Sequence, residues 1–207
     1  MAQAKAAVPS AVGAVAGVMA KSNQIATSQA EAILWSTRSR WAQGLKPPDL
    51  YEWISNCYMM RCDDDYLYGG CYLHGPYLPE KTIASVRADF QVFCLLAVRR
   101  GCLPSPWDWS AFLKVAGKFA GFGFEKSDAQ KRWGSENVFD VAAGGRSLRF
   151  TAELIYGNSM QQMDLSKDHK KLLEAIESDD ADALIEEIGG AAAWEVFTEV
   201  LRNHVKY

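Results

Sequence analysis

The sequence predicts a mostly α protein, an irregular multi-helix globular domain with one long Tyr/Gly-rich loop. Three observations carry that prediction. Apolar residues recur at intervals of three, four and seven along much of the chain. Candidate caps and Gly or Pro stops bracket those stretches. No segment alternates cleanly over six residues, and no hairpin signal or internal repeat of 20–50 residues appears.

The elements follow in order. Residues 1–21 are small and weakly apolar and read as an N-terminal arm. Good helix formers run from Ser22 to Gln43, with Gly44 as a stop and Pro47-Pro48 beyond. Asp49 with Glu52 three residues later resembles a capping box, which predicts a helix start. Leu50, Trp53, Ile54 and Cys57 then follow at helical spacing. The segment 63–82, DDDYLYGGCYLHGPYLPEKT, loses the period and holds four Tyr, three Gly and two Pro. It reads as a loop, and loops of this length are often functional.

The clearest helix covers Ile83 to Arg100, with Gly101 behind it and Arg99 and Arg100 in the last turn, where cations suit the dipole. Pro106 at the first helical position predicts a helix from Trp107 to about Phe119. Ser127 with Gln130 suggests a short helix ended by Gly134, and Glu136 to Ala143 another, stopped by Gly144-Gly145. Ser147–Tyr156, Ser166–Ser178, Asp180–Ile188 and Ala191–His204 complete the helices. The expected organisation is an arm (1–21), a helical core (22–157) and acidic C-terminal helices packing on that core (158–207).

Composition narrows the class. Of 207 residues, 49% are apolar, 23% charged and 12% aromatic, which excludes wholesale disorder. A net charge of −3 argues against a general nucleic-acid binder. That total is a sum of opposites. Residues 153–207 hold 12 acidic and 5 basic side chains, whereas the preceding body holds 13 acidic and 17 basic. The tail is either a solvated acidic face or a dock for a basic surface. No run approaches the ~20 apolar residues of a membrane span.

Five cysteines without a paired framework fit a reducing compartment, so a cytoplasmic or nuclear protein is expected. The N-terminal stretch ending Val18-Met19-Ala20 has a superficial leader pattern. Pro9, Gly13 and Gly17 weaken it, and it holds no Leu or Phe. An organelle-targeted or secreted, effector-like protein is the alternative.

Four constellations carry possible chemistry. Cys57, Cys62, Cys71 and His74 have the spacing C-x4-C-x8-C-x2-H and the soft donors that zinc favours. On one helix, however, Cys57 and Cys62 lie ~140° apart around the axis, so unrelated thiols are the expectation. Asp63, Asp64 and Asp65 offer oxygen ligands for a hard cation but lack an EF-hand spacing, so a helix-breaking loop run is the alternative. Gly144-Gly145 feeds a helix start beside Arg146 and Arg149, which suits an anion. Internal pairing of Arg146 or Arg149 with an acidic residue such as Asp108, Glu125 or Glu136 is the alternative. Trp107 and Trp109 flank a Pro pair and form either a peptide platform or core anchors for a helix start. Of the three histidines, His169 and His204 read as exposed, and only His74 is a chemical candidate. No nucleophile triad is evident, no catalytic residue is assigned and no cofactor is implied.

The strings DDDYLYGG, LHGPY, FCLLAVRRG, WDWSAFLK, FEKSDAQKRWGSENVF and GGRSLRFTAELIYG together resemble a group of uncharacterised fungal proteins. A similar region there accompanies a MYND-type zinc finger, a protein-interaction module. The resemblance covers roughly Leu50 to Gly157. The finger's paired cysteines are absent here, so its zinc binding does not carry over. The resemblance implies an intracellular helical domain whose work is interaction. The expected function is therefore a non-enzymatic interaction or scaffold protein with a protein partner or a second copy. Its surface would join the Tyr-rich loop, Trp107, Trp109 and the Arg146/Arg149 corner. The rival is a metal-dependent or anion-binding enzyme in which Asp63, Asp64, Asp65, His74, Arg146 and Arg149 converge in one pocket.

Overall fold

A computed structural model of the chain describes residues 40–139, 146–178 and 180–204. All fall within the unit Arg38–Tyr207. The arm over 1–21, nearly all of the Ser22–Gln43 helix, the Gly144-Gly145 turn and the end of the Glu136–Ala143 stretch lie outside the described residues. So does any test of the leader pattern.

Among the described residues there are eight α-helices and no strand, which is the predicted class. They are α1 (Asp49–Gly69), α2 (Ile83–Arg99), α3 (Trp109–Ala116), α4 (Lys126–Trp133), α5 (Leu148–Tyr156), α6 (Lys167–Ile176), α7 (Asp182–Glu187) and α8 (Gly190–His204). Short 3₁₀ turns occupy Arg40–Ala42, Gly75–Tyr77 and Ser135–Asn137. No helix is long and apolar enough to cross a membrane.

Helix α1 is the axis of the domain. It is buried over most of its length, from Leu50 to Asp65, so it carries no solvent face to give it an amphipathic period. The helix continues through Asp63-Asp64-Asp65 instead of breaking there. It ends where Gly70, at φ 64°, turns left-handed and donates its N–H to Tyr66 O at 3.1 Å. The Tyr/Gly-rich loop is shorter than the sequence suggests, running from Gly70 to Thr82 around the Gly75–Tyr77 turn. The capping box at Asp49 and Glu52 does not form. Pro48 holds the cap position, and both carboxylates bind Arg132.

Helix α2 has a reciprocal cap between Thr82 and Ser85 and is buried on most faces. Its Phe90 stacks on Phe197 of α8 at 5.1 Å and meets Tyr58 of α1 edge-on at 4.8 Å. Helix α3 starts two residues later than expected, because Asp108 rather than Pro106 opens it by accepting from Ala111 N. In α4 the predicted Ser127 cap is a helical residue, and Glu125 precedes the helix without a side-chain cap bond. Ser147 and Ser166 cap α5 and α6 by accepting the N–H groups of Phe150 and His169. The C-terminal helices belong to the same core, since Trp194, Phe197 and Leu201 of α8 are fully buried.

Candidate metal centre

The last buried turns of α1 place three consecutive carboxylates on different sides of the helix, and each meets a different environment. Asp63 and Asp64 face cations. Lys126 Nζ lies 2.7 Å from Asp63 and 3.0 Å from Asp64. Arg149 grips Asp64 with two N–H donors, at 2.7 and 2.9 Å. Tyr77 donates its hydroxyl to Asp63 at 2.9 Å. Burial alone would push Lys126 down, but the two carboxylates outweigh it and hold its pKa above the usual lysine value. These are fixed pairs, not a hard-cation site. Arg149 is thus internally paired, as the sequence suggests, with Asp64 as the acidic partner.

Asp65 faces the other way. Its Oδ2 accepts from Arg61 Nε at 2.5 Å and lies 3.6 Å from His74 Nε2. Its Oδ1 accepts the backbone N–H groups of Gln161 and Gln162 at 3.0 and 3.3 Å. His74, just before the Gly75–Tyr77 turn, is buried, and its Nδ1 lies 3.0 Å from Asp89 Oδ1. Asp89 comes from the middle of α2 and is buried as well. Its Oδ2 accepts from the Tyr58 hydroxyl at 2.7 Å and from Gly75 N–H at 2.8 Å. A Cβ at Gly75 would lie 2.6 Å from the Tyr58 oxygen, so only glycine permits that approach.

The third partner is His169, in the first turn of α6. It is 1% exposed, not a surface residue as the sequence suggests. Its Nε2 lies 3.2 Å from the same Asp89 Oδ1, yet neither ring nitrogen makes a hydrogen bond among the described residues. An imidazole buried without a hydrogen bond costs free energy. The donor atoms of His74, Asp89 and His169 all lie within 4.8 Å of one another. A tetrahedral ion with bonds of ~2.0–2.1 Å holds its ligands about 3.3 Å apart. The 3.0 and 3.2 Å separations around Asp89 Oδ1 match that edge length.

The surroundings of His74 and Asp89 fit a ligand set, whereas His169 Nδ1 has no hydrogen-bond partner among the described residues. Metal-bound histidines direct their second nitrogen at a carboxylate or carbonyl, and ligating carboxylates are themselves hydrogen-bonded. His74 Nε2 faces Asp65, which Arg61 secures, and Asp89 is held by Tyr58 and Gly75. Burial alone would push Asp89 up and His74 down. The two histidines instead hold Asp89 well below the usual carboxylate range. Asp89 and Asp65 hold His74 above the usual histidine value. Burial pushes the neighbouring Tyr58, Tyr156 and Cys62 well above their ordinary values. The cavity beside the centre is about 10 Å³, room for a single water at most.

The remaining candidates go elsewhere. Cys57 is buried against the Thr151 side chain. The Cys62 thiol lies beside Tyr58, and half-buried Cys71 donates to Gly69 O at 3.2 Å. Of the four C-x4-C-x8-C-x2-H residues, only His74 joins a ligand-like cluster among the described residues. Arg146 donates to Gln43 O and lies over the Trp53 ring, so it is remote in chemistry from Asp65 and His74. Trp107 meets Tyr51 and Phe112 edge-on at 5.2 and 5.1 Å, and Trp109 meets Phe112 at 5.8 Å. Both indoles are half-buried anchors rather than an open platform. Asp89 escapes the sequence reading, which takes His169 for an exposed residue. Asp89 interrupts the apolar stripe of α2, and that buried polar position is the one signal that could have flagged it.

Comparison with protein-family models, with curated proteins and with solved structures finds no match for this chain.

Proposed function

We propose that this chain is a helical metal-binding domain holding one divalent first-row transition ion. The ligands are His74 Nδ1, Asp89 Oδ1 and His169 Nε2. Two imidazoles and a carboxylate suit zinc or ferrous iron better than calcium or magnesium. The observation that carries the reading is His169, buried with both ring nitrogens lacking a hydrogen bond while one points at an ionised, shared carboxylate. The small cavity favours an ion that ties the Gly70–Thr82 loop, α2 and α6 together over one that turns over a substrate. Equilibrium dialysis of chelator-treated protein against zinc tests this. One ion per chain in the wild type and none in His169→Ala is expected. Equal zinc in both would remove the assignment.

A second, compatible reading is the interaction role. Leu67, Tyr68 and Tyr72 are each more than half exposed around the end of α1, beyond what a closed core needs. Sedimentation across a concentration series compares the wild type with Leu67→Ser/Tyr72→Ser. Self-association confined to the wild type supports a second copy as the partner. A wild type that stays monomeric throughout removes the second copy.

A further inference from the structure

Resting on the metal reading above, we infer that residues 158–165 form a strap over the centre which opens to let the ion in and out, with Arg61 and Asp65 as its latch. The centre is closed on most sides by helices packed through the core. Tyr58 and Asp89 belong to the buried stretches of α1 and α2, and Tyr156 to buried α5. The remaining side of the cavity is lined by Asn158, Gln162, Asp164 and Leu165, together with Arg61 and His169. This segment carries no helix, and no residue in it is buried. Of its two methionines, Met163 is 83% exposed and Met160 is half-buried, as is Leu165.

Hydrogen bonds hold the strap down, with only the half-buried Met160 and Leu165 adding apolar contact. Arg61 donates to Asn158 O at 3.0 Å and to Asn158 Oδ1 at 2.8 Å. Asp65 accepts from Gln161 and Gln162, and Glu153 accepts from Met160 N–H at 3.1 Å. Gln161 has φ 71°, a left-handed conformation found at no other non-glycine among the described residues. A segment with no fully buried side chain, held by part-buried polar bonds and one strained residue, opens at lower cost than packed helices. The strap also ends at Ser166, the cap of the helix that carries His169, so lifting it frees a ligand at the same stroke. The Arg61–Asp65 pair spans both tasks, because Asp65 steadies His74 and holds the strap.

The test follows release of Co²⁺, read by its visible absorption, from the loaded full chain into excess chelator. Asn158→Ala removes one latch acceptor. Gln161→Pro removes the Gln161 N–H donor and forbids the positive φ. Each should speed release about tenfold or more, the weight of one or two such hydrogen bonds. The Co²⁺ spectrum and the helical circular dichroism should stay unchanged. Met163→Ala, within the strap but outside the latch, should release at the wild-type rate. Latch variants within twofold of wild type, or a Met163→Ala as fast as they are, would overturn the strap. A wild type that takes up no Co²⁺ defeats the metal reading instead, and hydrogen exchange then judges the strap alone. Gln161 and Gln162 amides exchanging at least tenfold faster than those in the middle of α1 and α2 support opening. Equal protection refutes it.

Discussion

Asp64 and Asp65 are neighbours on one helix, equally buried, and they lead opposite lives. Asp64 is sealed by Arg149 and Lys126, cations that keep their charge and offer nothing to a metal. Asp65 also holds a cation, Arg61, but it stands behind His74, and through it behind Asp89 and His169, the donors of the candidate centre. One step along the helix turns the chain by ~100°, and that step separates a structural tie from a candidate centre. Burial alone does not mark function. The partner's chemistry does.

The largest expected break in this comparison is Asp89→Ala. It leaves His74, Tyr58 and Gly75 N–H facing an uncharged hole, so stability should fall by about 3–5 kcal/mol and metal binding should vanish. Urea unfolding with zinc stoichiometry checks both. Asp64→Ala should cost about 2–3 kcal/mol by stranding Arg149 and Lys126, while zinc stoichiometry stays at the wild-type value. Loss of zinc in Asp64→Ala would erase the distinction between the two sides.

The pH dependence of the metal-free chain sharpens the same contrast. Burial raises Asp65 and Asp89, but His74, Arg61 and His169 outweigh it and both are held low. A depressed carboxylate stabilises fully above its unfolded pKa of ~3.9 and loses that as pH falls through its folded value. His74 is held high, so its contribution is complete below the unfolded value of ~6.5 and is lost as pH rises through the folded one. Urea midpoints of metal-free protein should peak between about pH 4 and 6.5. His74→Gln should abolish the decline on the alkaline side. The smallest effect expected is that of Tyr58→Phe, which removes one of the two donors to Asp89 Oδ2 and should cost about 1 kcal/mol with zinc still bound.

The helical class was legible because amphipathic helices such as α5 and α6 print their period and their Ser caps. Helix α1 hid its true length for a physical reason. Its surroundings are protein nearly all round, so the pattern it needed was complementarity to Lys126 and Arg149, which no local window contains. The centre was half legible. His74 stood out in a Gly-Pro loop and Asp65 in an acidic run. His169 looked like one more polar residue in KDHKK, because its burial depends on a strap and on helices distant in sequence. Helix geometry marks Cys57, Cys62 and Cys71 as unrelated thiols despite their spacing, and among the described residues none of the three joins the cluster.

X-ray absorption at the zinc edge of the loaded protein tests the central claim most directly. The account predicts nitrogen and oxygen neighbours at ~2.0–2.1 Å with outer-shell scattering from two imidazoles and no sulfur. A zinc–sulfur distance of ~2.3 Å would place the ion on cysteine and contradict the His74–Asp89–His169 centre.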